Sequence, residues 1–205
     1  GQVSWVLTGF NIVLALVAVP VAYMVRRRAP GILLGIGMAV FAAASLFCAI
    51  APSFEVLLFA RGVQAVGGAL AVTAALEILP TTTGSERRAA TIWATAGALG
   101  AAFGPALGGL LTQLLSWEAI FFIQVPAILL AIPTLGVKTH AKRIAAGRPK
   151  LAPTIALLLL SAGLTAALFL IVLLLIEGWQ MSPIATALVV TVMPLSAIVG
   201  ARVFD

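Results

Sequence analysis

The chain repeats one pattern from its third residue onward: a long run of apolar residues, then a short polar break. Seven such runs are legible, at about 3–25, 30–52, 56–80, 89–115, 118–137, 151–176 and 182–201. Each is close to the roughly 20 residues that an α-helix needs to cross a bilayer core. A barrel strand would alternate apolar and polar residues over about ten positions, whereas these runs are apolar on every face. The breaks are short and carry helix-stopping residues: Ala51-Pro52-Ser53, Thr81 to Ser85 and Gly178 to Pro183. The pattern predicts an all-α, polytopic membrane protein of about seven transmembrane helices, with sequence neighbours antiparallel and side by side.

Composition strengthens this reading. With 62% apolar and 9% charged residues, the chain has too little polar surface to face water on all sides. Its net charge of +6 would suggest nucleic acid in a soluble protein, but here the placement of the charges matters more. Apart from Arg61, every Lys and Arg falls in alternate breaks: Arg26, Arg27 and Arg28; Arg87 and Arg88; Lys138, Lys142, Arg143, Arg148 and Lys150; and Arg202. The breaks between them carry Glu55, Glu118 and Glu177. By the positive-inside bias, the basic breaks are expected in the cytoplasm and the acidic ones outside. The lipid bilayer is thus the first partner, nucleic acid is not one, and a bacterial plasma membrane is the expected location.

With Arg26 to Arg28 inside, the first run enters from outside, which leads us to expect a further helix ahead of Gly1. The one long hydrophilic stretch, Val137 to Lys150, separates five helices from two. We expect residues 1–137 to form one helical unit, 138–150 a basic cytoplasmic linker, and 151–205 the start of another unit. Cys48, mid-run and the single cysteine, offers neither a disulfide framework nor a thiol metal site. No catalytic pair, phosphate loop or metal spacing is present, so neither an enzyme nor a cofactor is expected. His140 sits in the basic stretch, and Trp5, Trp117 and Trp179 fall at the external boundary as interfacial anchors.

Candidate chemistry concentrates in two runs. In the fourth, Gly100, Gly104 and Gly108 recur every four residues, with Gly109 beside them, forming a side-chain-free ridge that another backbone could approach. Pro105 removes one backbone hydrogen bond and is expected to kink that helix. Small-residue packing alone would give the same spacing. In the third run, Arg61 is a cation placed within hydrocarbon, at a cost of at least ~2.5 kcal/mol unless it faces the bundle interior or a wet cavity. Gln64 lies one turn on, on the same face. The alternative is snorkelling toward the Glu55 end, about 9 Å away along the axis. Glu77 is 16 residues beyond Arg61, roughly 24 Å, so the two cannot pair. It is placed either to carry a proton or to pair with Arg26 to Arg28 or with Arg87 and Arg88 at the inner boundary.

Taken together these residues resemble a known family. Gly100, Gly104, Pro105, Gly108 and Gly109 look like the antiporter signature of the drug:proton antiporters in the major facilitator superfamily. Arg61 with Gln64 resembles the superfamily's buried arginine motif on the preceding helix. Ser116-Trp117, Ile120-Phe121-Phe122 and Val125-Pro126 are similar to its next helix, and Glu86-Arg87-Arg88-Ala89 to its cytoplasmic turn. The resemblance implies a secondary transporter that exports small amphipathic compounds in exchange for protons. It implies a role for Arg61 in proton coupling and for the Gly104-Pro105 helix in leak and direction. It places Arg26, Arg27, Arg28, Glu86, Arg87 and Arg88 at a cytoplasmic gate, and makes 138–150 the linker between two six-helix halves, with Gly1 at the start of the second helix.

Three positions depart from the family pattern. Ala22 and Arg26 stand where a glycine and a gate aspartate are usual, and Glu118 replaces a basic residue after Trp117. A non-transporting homologue is therefore one alternative. A seven-helix receptor is another, although a retinal protein would need a lysine within a helix and all three lysines lie in the central stretch.

Overall fold

The computed structural model describes residues 2–25, 27–136, 163, 166–168, 170–182, 184–192 and 196. Four helices in it are long and apolar enough to cross a membrane: α1 (Gln2–Val25), α2 (Pro30–Ala49), α3 (Phe54–Thr83) and α4 (Glu86–Leu114). No strand occurs among the described residues. The apolar stretches Ala119–Leu129 and Ala166–Gly178 are shorter. The linker at 138–150, Arg26, Arg202, His140, most of the sixth run and part of the seventh lie outside the described residues.

Local chemistry explains the helix ends. Pro30, which needs no backbone partner for its nitrogen, opens α2. The hydroxyl of Ser53 accepts from the Val56 amide, 3.4 Å, and caps α3. At the other end α3 continues past Pro80 to Thr83, three residues beyond the expected stop. The hydroxyls of Thr81, Thr82 and Thr83 donate to the carbonyls of Ile78 and Leu79. Gly84 then takes a left-handed conformation, φ 65°, which ends the helix. Ser85 accepts from the Arg88 amide, 3.4 Å, where α4 begins.

Residues 1–93 and 116–142 form one compact unit; residues 94–115 and 143–205 form a second. In the first unit α3 is the hub. Helix α2 runs antiparallel along it at very short range: a Cβ at Gly37 would sit 2.6 Å from the Ala71 nitrogen, and one at Gly67 would sit 2.5 Å from the Phe41 nitrogen. Only glycine permits that approach. Helix α1 runs parallel to α3, with Gly9 against Leu58, Phe10 against Arg61 and Gly62 against Val13. It packs chiefly on α3, its second neighbour in sequence, although side-by-side packing of successive helices was expected. Val21, Val25, Leu33, Ala69, Leu70 and Ala74 close one end of this unit, and Cys48, Ala49, Ala60 and Phe121 the other. Large apolar side chains face outward, with Val19, Phe59 and Leu16 each more than two-thirds exposed, as lipid-facing positions require.

The fifth run departs from a single α-helix. Helix α5 (Ala119–Phe122) gives way to a 3₁₀ stretch, Val125–Gly136. Pro126 and Pro133 cannot donate to the carbonyls four residues back, so the ladder tightens to bonds such as Ala127 N to Gln124 O, 3.1 Å. In the second unit, α4 remains α-helical through Pro105. Helical residues 170–173 lead into a π turn, Leu174–Gly178, that ends in the Trp179 N to Leu174 O bond, 2.9 Å.

Candidate functional site

The site forms where four elements of the first unit meet around α3. The Gly37–Gly67 approach sets the register of α2 against α3, so that successive turns bring together Phe41 with Gly67, Ser45 with Gln64, and Cys48 with Ala60. Gln64 and Ser45 are fully buried. Gln64 Nε2 donates to Ser45 Oγ at 2.7 Å and to Gln124 Oε1 at 2.9 Å. Its Oε1 accepts from Nη1 of Arg61. Ser45 Oγ donates to the Phe41 carbonyl at 2.7 Å, and Gln124 Nε2 donates to the Ile120 carbonyl at 3.0 Å.

Arg61 is half-buried. Its guanidinium carbon lies 4.2 Å from the ring centroid of Phe10 on α1 and 5.7 Å from that of Phe121 on α5. Both contacts are favourable cation–π geometry, and they strengthen where water is excluded. The guanidinium bonds to Gln64, three residues toward the C-terminus of α3, which is opposite to the direction that snorkelling toward Glu55 requires. Its Nε–H is buried without an acceptor among the described residues.

Among the described residues of the first unit, the other charged residues singled out in the sequence do not join this cluster. Glu77 is exposed near the far end of α3. Arg27 and Arg28 are exposed at the end of α1, with the Arg27 guanidinium 4.1 Å from the Tyr23 ring centroid. Glu86, Arg87 and Arg88 are exposed in the first turn of α4. Gly100 and Gly104 are exposed, and Gly108, Gly109 and Pro105 are partly so. Among the described residues, nothing lies within 4 Å of a Cβ placed on Gly100, Gly104 or Gly108. Trp5, Trp117 and Trp179 are exposed, consistent with an interfacial place, and Trp117 also stacks edge-on against Phe121 at 6.1 Å.

Sequence reasoning missed Ser45 and Gln124. The available signal was that both are polar residues inside apolar runs, where each must find a partner within the protein. Among the described residues, no group of three His, Cys, Asp or Glu side chains could hold a metal ion.

Residues 1–204 match the family model of the Major Facilitator Superfamily. The sequence is 30% identical over 197 residues to the methylenomycin A resistance protein of Streptomyces coelicolor, covering 93% of this chain and 40% of that protein. It is 36% identical over 135 residues to the multidrug efflux pump LfrA of Mycolicibacterium smegmatis, covering 64% of this chain and 27% of the relative. It is 31% identical over 134 residues to the methyl viologen resistance protein SmvA of Salmonella typhimurium, covering 64% and 27%. The chain thus spans less than half the length of each of these relatives. Its apolar helices of membrane-crossing length and its match from residue 1 to residue 204 lead to one conclusion: this chain belongs to the major facilitator superfamily.

Proposed function

We propose that the protein carrying this chain is a proton-coupled exporter of small amphipathic organic compounds that works by alternating access. The observation that carries the reading is the Arg61 guanidinium, held between helices by an amide and two aromatic rings. A cation fixed in a low-dielectric bundle lowers the pKa of a carboxyl that approaches it and lets that pKa rise when the carboxyl withdraws. A conformational cycle that moves a carboxyl past Arg61 therefore takes up and releases a proton. Gln64 holds the cation in place.

The side-chain-free ridge of α4 at Gly100, Gly104 and Gly108, with Pro105 beside it, is suited to close sliding contact with another helix. Arg26, Arg27, Arg28, Glu86, Arg87 and Arg88 are the proposed cytoplasmic gate, with residues 138–150 as the linker between halves. Glu77 is a candidate for charge pairing at the inner boundary. The resistance and efflux functions in the relatives' names support export as the direction.

The test is dye efflux by the full gene product in proteoliposomes under an imposed pH gradient. The wild type is expected to export the dye, and Arg61→Ala to lower the rate by about tenfold or more, the weight of one hydrogen bond to a charged group. Efflux that ignores the gradient, or that is unchanged in Arg61→Ala, rejects the reading. One observation favours a second reading, a homologue that does not transport: Ala22 and Arg26 occupy the usual glycine and gate-acid positions. In that case the wild type itself gives no efflux.

A further inference from the structure

The hydrogen bonds around Gln64 have only one consistent direction. Both Nε2 hydrogens and the Oε1 of this buried amide are engaged. Turning the amide over would point an N–H₂ at a guanidinium, which is donor-only. It would also point a carbonyl at Gln124 Oε1, an acceptor, and would draw the Ser45 hydrogen away from its two acceptors, the Phe41 carbonyl at 2.7 Å and Gln124 Oε1 at 3.4 Å. The two flanking groups are fixed in turn, because Ser45 is bonded to the backbone of α2 and Gln124 to that of α5. The orientation of the amide at Arg61 is therefore decided by residues 19 and 60 positions away in the chain.

We propose that Ser45 and Gln124 are positioning residues for Arg61, acting through the Gln64 amide as a one-way clamp. The clamp contains two amides and a hydroxyl and no ionisable group, so it orients the cation and leaves its charge in place. Its anchors lie on α2 and at the α5 end of the 3₁₀ stretch, so any shift of either element against α3 re-aims the guanidinium. Its importance for transport rests on the proposed coupling role of Arg61; its existence does not.

The clamp can be read without any transport assay. In protein labelled with ¹⁵N-arginine and held in lipid nanodiscs, the Arg61 signals are assigned by their loss in Arg61→Lys. The wild type is expected to show slow rotation of the Nη1 group. Gln64→Leu is expected to speed that rotation roughly fivefold to tenfold, the weight of about one hydrogen bond. Ser45→Ala combined with Gln124→Leu should reach the same rate with Gln64 still present, and Ser45→Thr, which keeps the hydroxyl, should stay near wild type. Rotation in the double variant equal to that of wild type overturns the proposal. If circular dichroism shows the double variant unfolded, the two single variants decide: each faster than wild type supports the clamp, and neither faster overturns it.

A second measurement reads transport. Ser45→Ala should lower turnover with KM unchanged, and Ser45→Thr should restore it. A wild type without gradient-driven exchange ends the proposed function, while the arginine signals still decide the clamp.

Discussion

Gln64 is the residue on which the site turns. Replacing it with leucine removes the acceptor from a guanidinium and the donor from two oxygens, one buried and one part-buried, at once. Hydrogen bonds between membrane helices average only ~0.6 kcal/mol, but leaving buried groups unsatisfied costs about 1–3 kcal/mol, and more when one is charged. Gln64→Leu is therefore expected to lose about 1–3 kcal/mol of stability in detergent-based unfolding, more than Ser45→Ala, which removes only neutral hydrogen bonds and leaves the guanidinium its acceptor. Equal losses would mean that the guanidinium does not depend on the amide. Arg61 and Gln64 were legible in the sequence, because a cation inside an apolar run demands an explanation and Gln64 lies one turn away on the same helix. Ser45 and Gln124 were not, since a single Ser or Gln in such a run is common and carries no spacing to mark it.

Glycine means different things on different helices. The regular spacing of Gly100, Gly104 and Gly108 marks α4 as approachable, and among the described residues nothing lies within 4 Å of a Cβ placed there. The close crossing lies at Gly37 and Gly67, where a Cβ would fall against backbone atoms of the partner helix. Gly67→Ala in this chain is expected to cost about 1–3 kcal/mol through overpacking. Gly104→Ala is expected to be neutral, or to stabilise α4 by up to about 1 kcal/mol through helix propensity. Unfolding of the two variants in the same detergent compares them directly, and the reverse order would refute the assignment of the crossing. A repeat of small residues shows that a helix can be approached closely; the neighbour's position decides whether it is. The fifth run teaches a similar lesson, since its apolar length predicted a span while Pro126 and Pro133 tightened its backbone into 3₁₀ turns.

At the scale of the molecule, α3 with its 30 residues is roughly 45 Å long, enough to carry its two ends to opposite faces of a bilayer of 40–45 Å including headgroups. Placement in the superfamily removes the seven-helix receptor from consideration. The charge pattern gives the orientation we propose. A cysteine at Glu55 should react with an impermeant maleimide on intact cells, and one at Arg87 only after permeabilisation, with buried Cys48 silent as background. The opposite result inverts the topology.

The sequence by itself determined the medium, the helical class and the alternation of charged ends, because burial in lipid is a sum over local composition and each run declares it alone. Only the tertiary structure decided that α1 lies along α3, that the crossing falls at Gly37 and Gly67, and that Ser45 and Gln124 reach Gln64. Those contacts join residues far apart in the chain, and their existence depends on how closely two backbones approach, which no single run encodes.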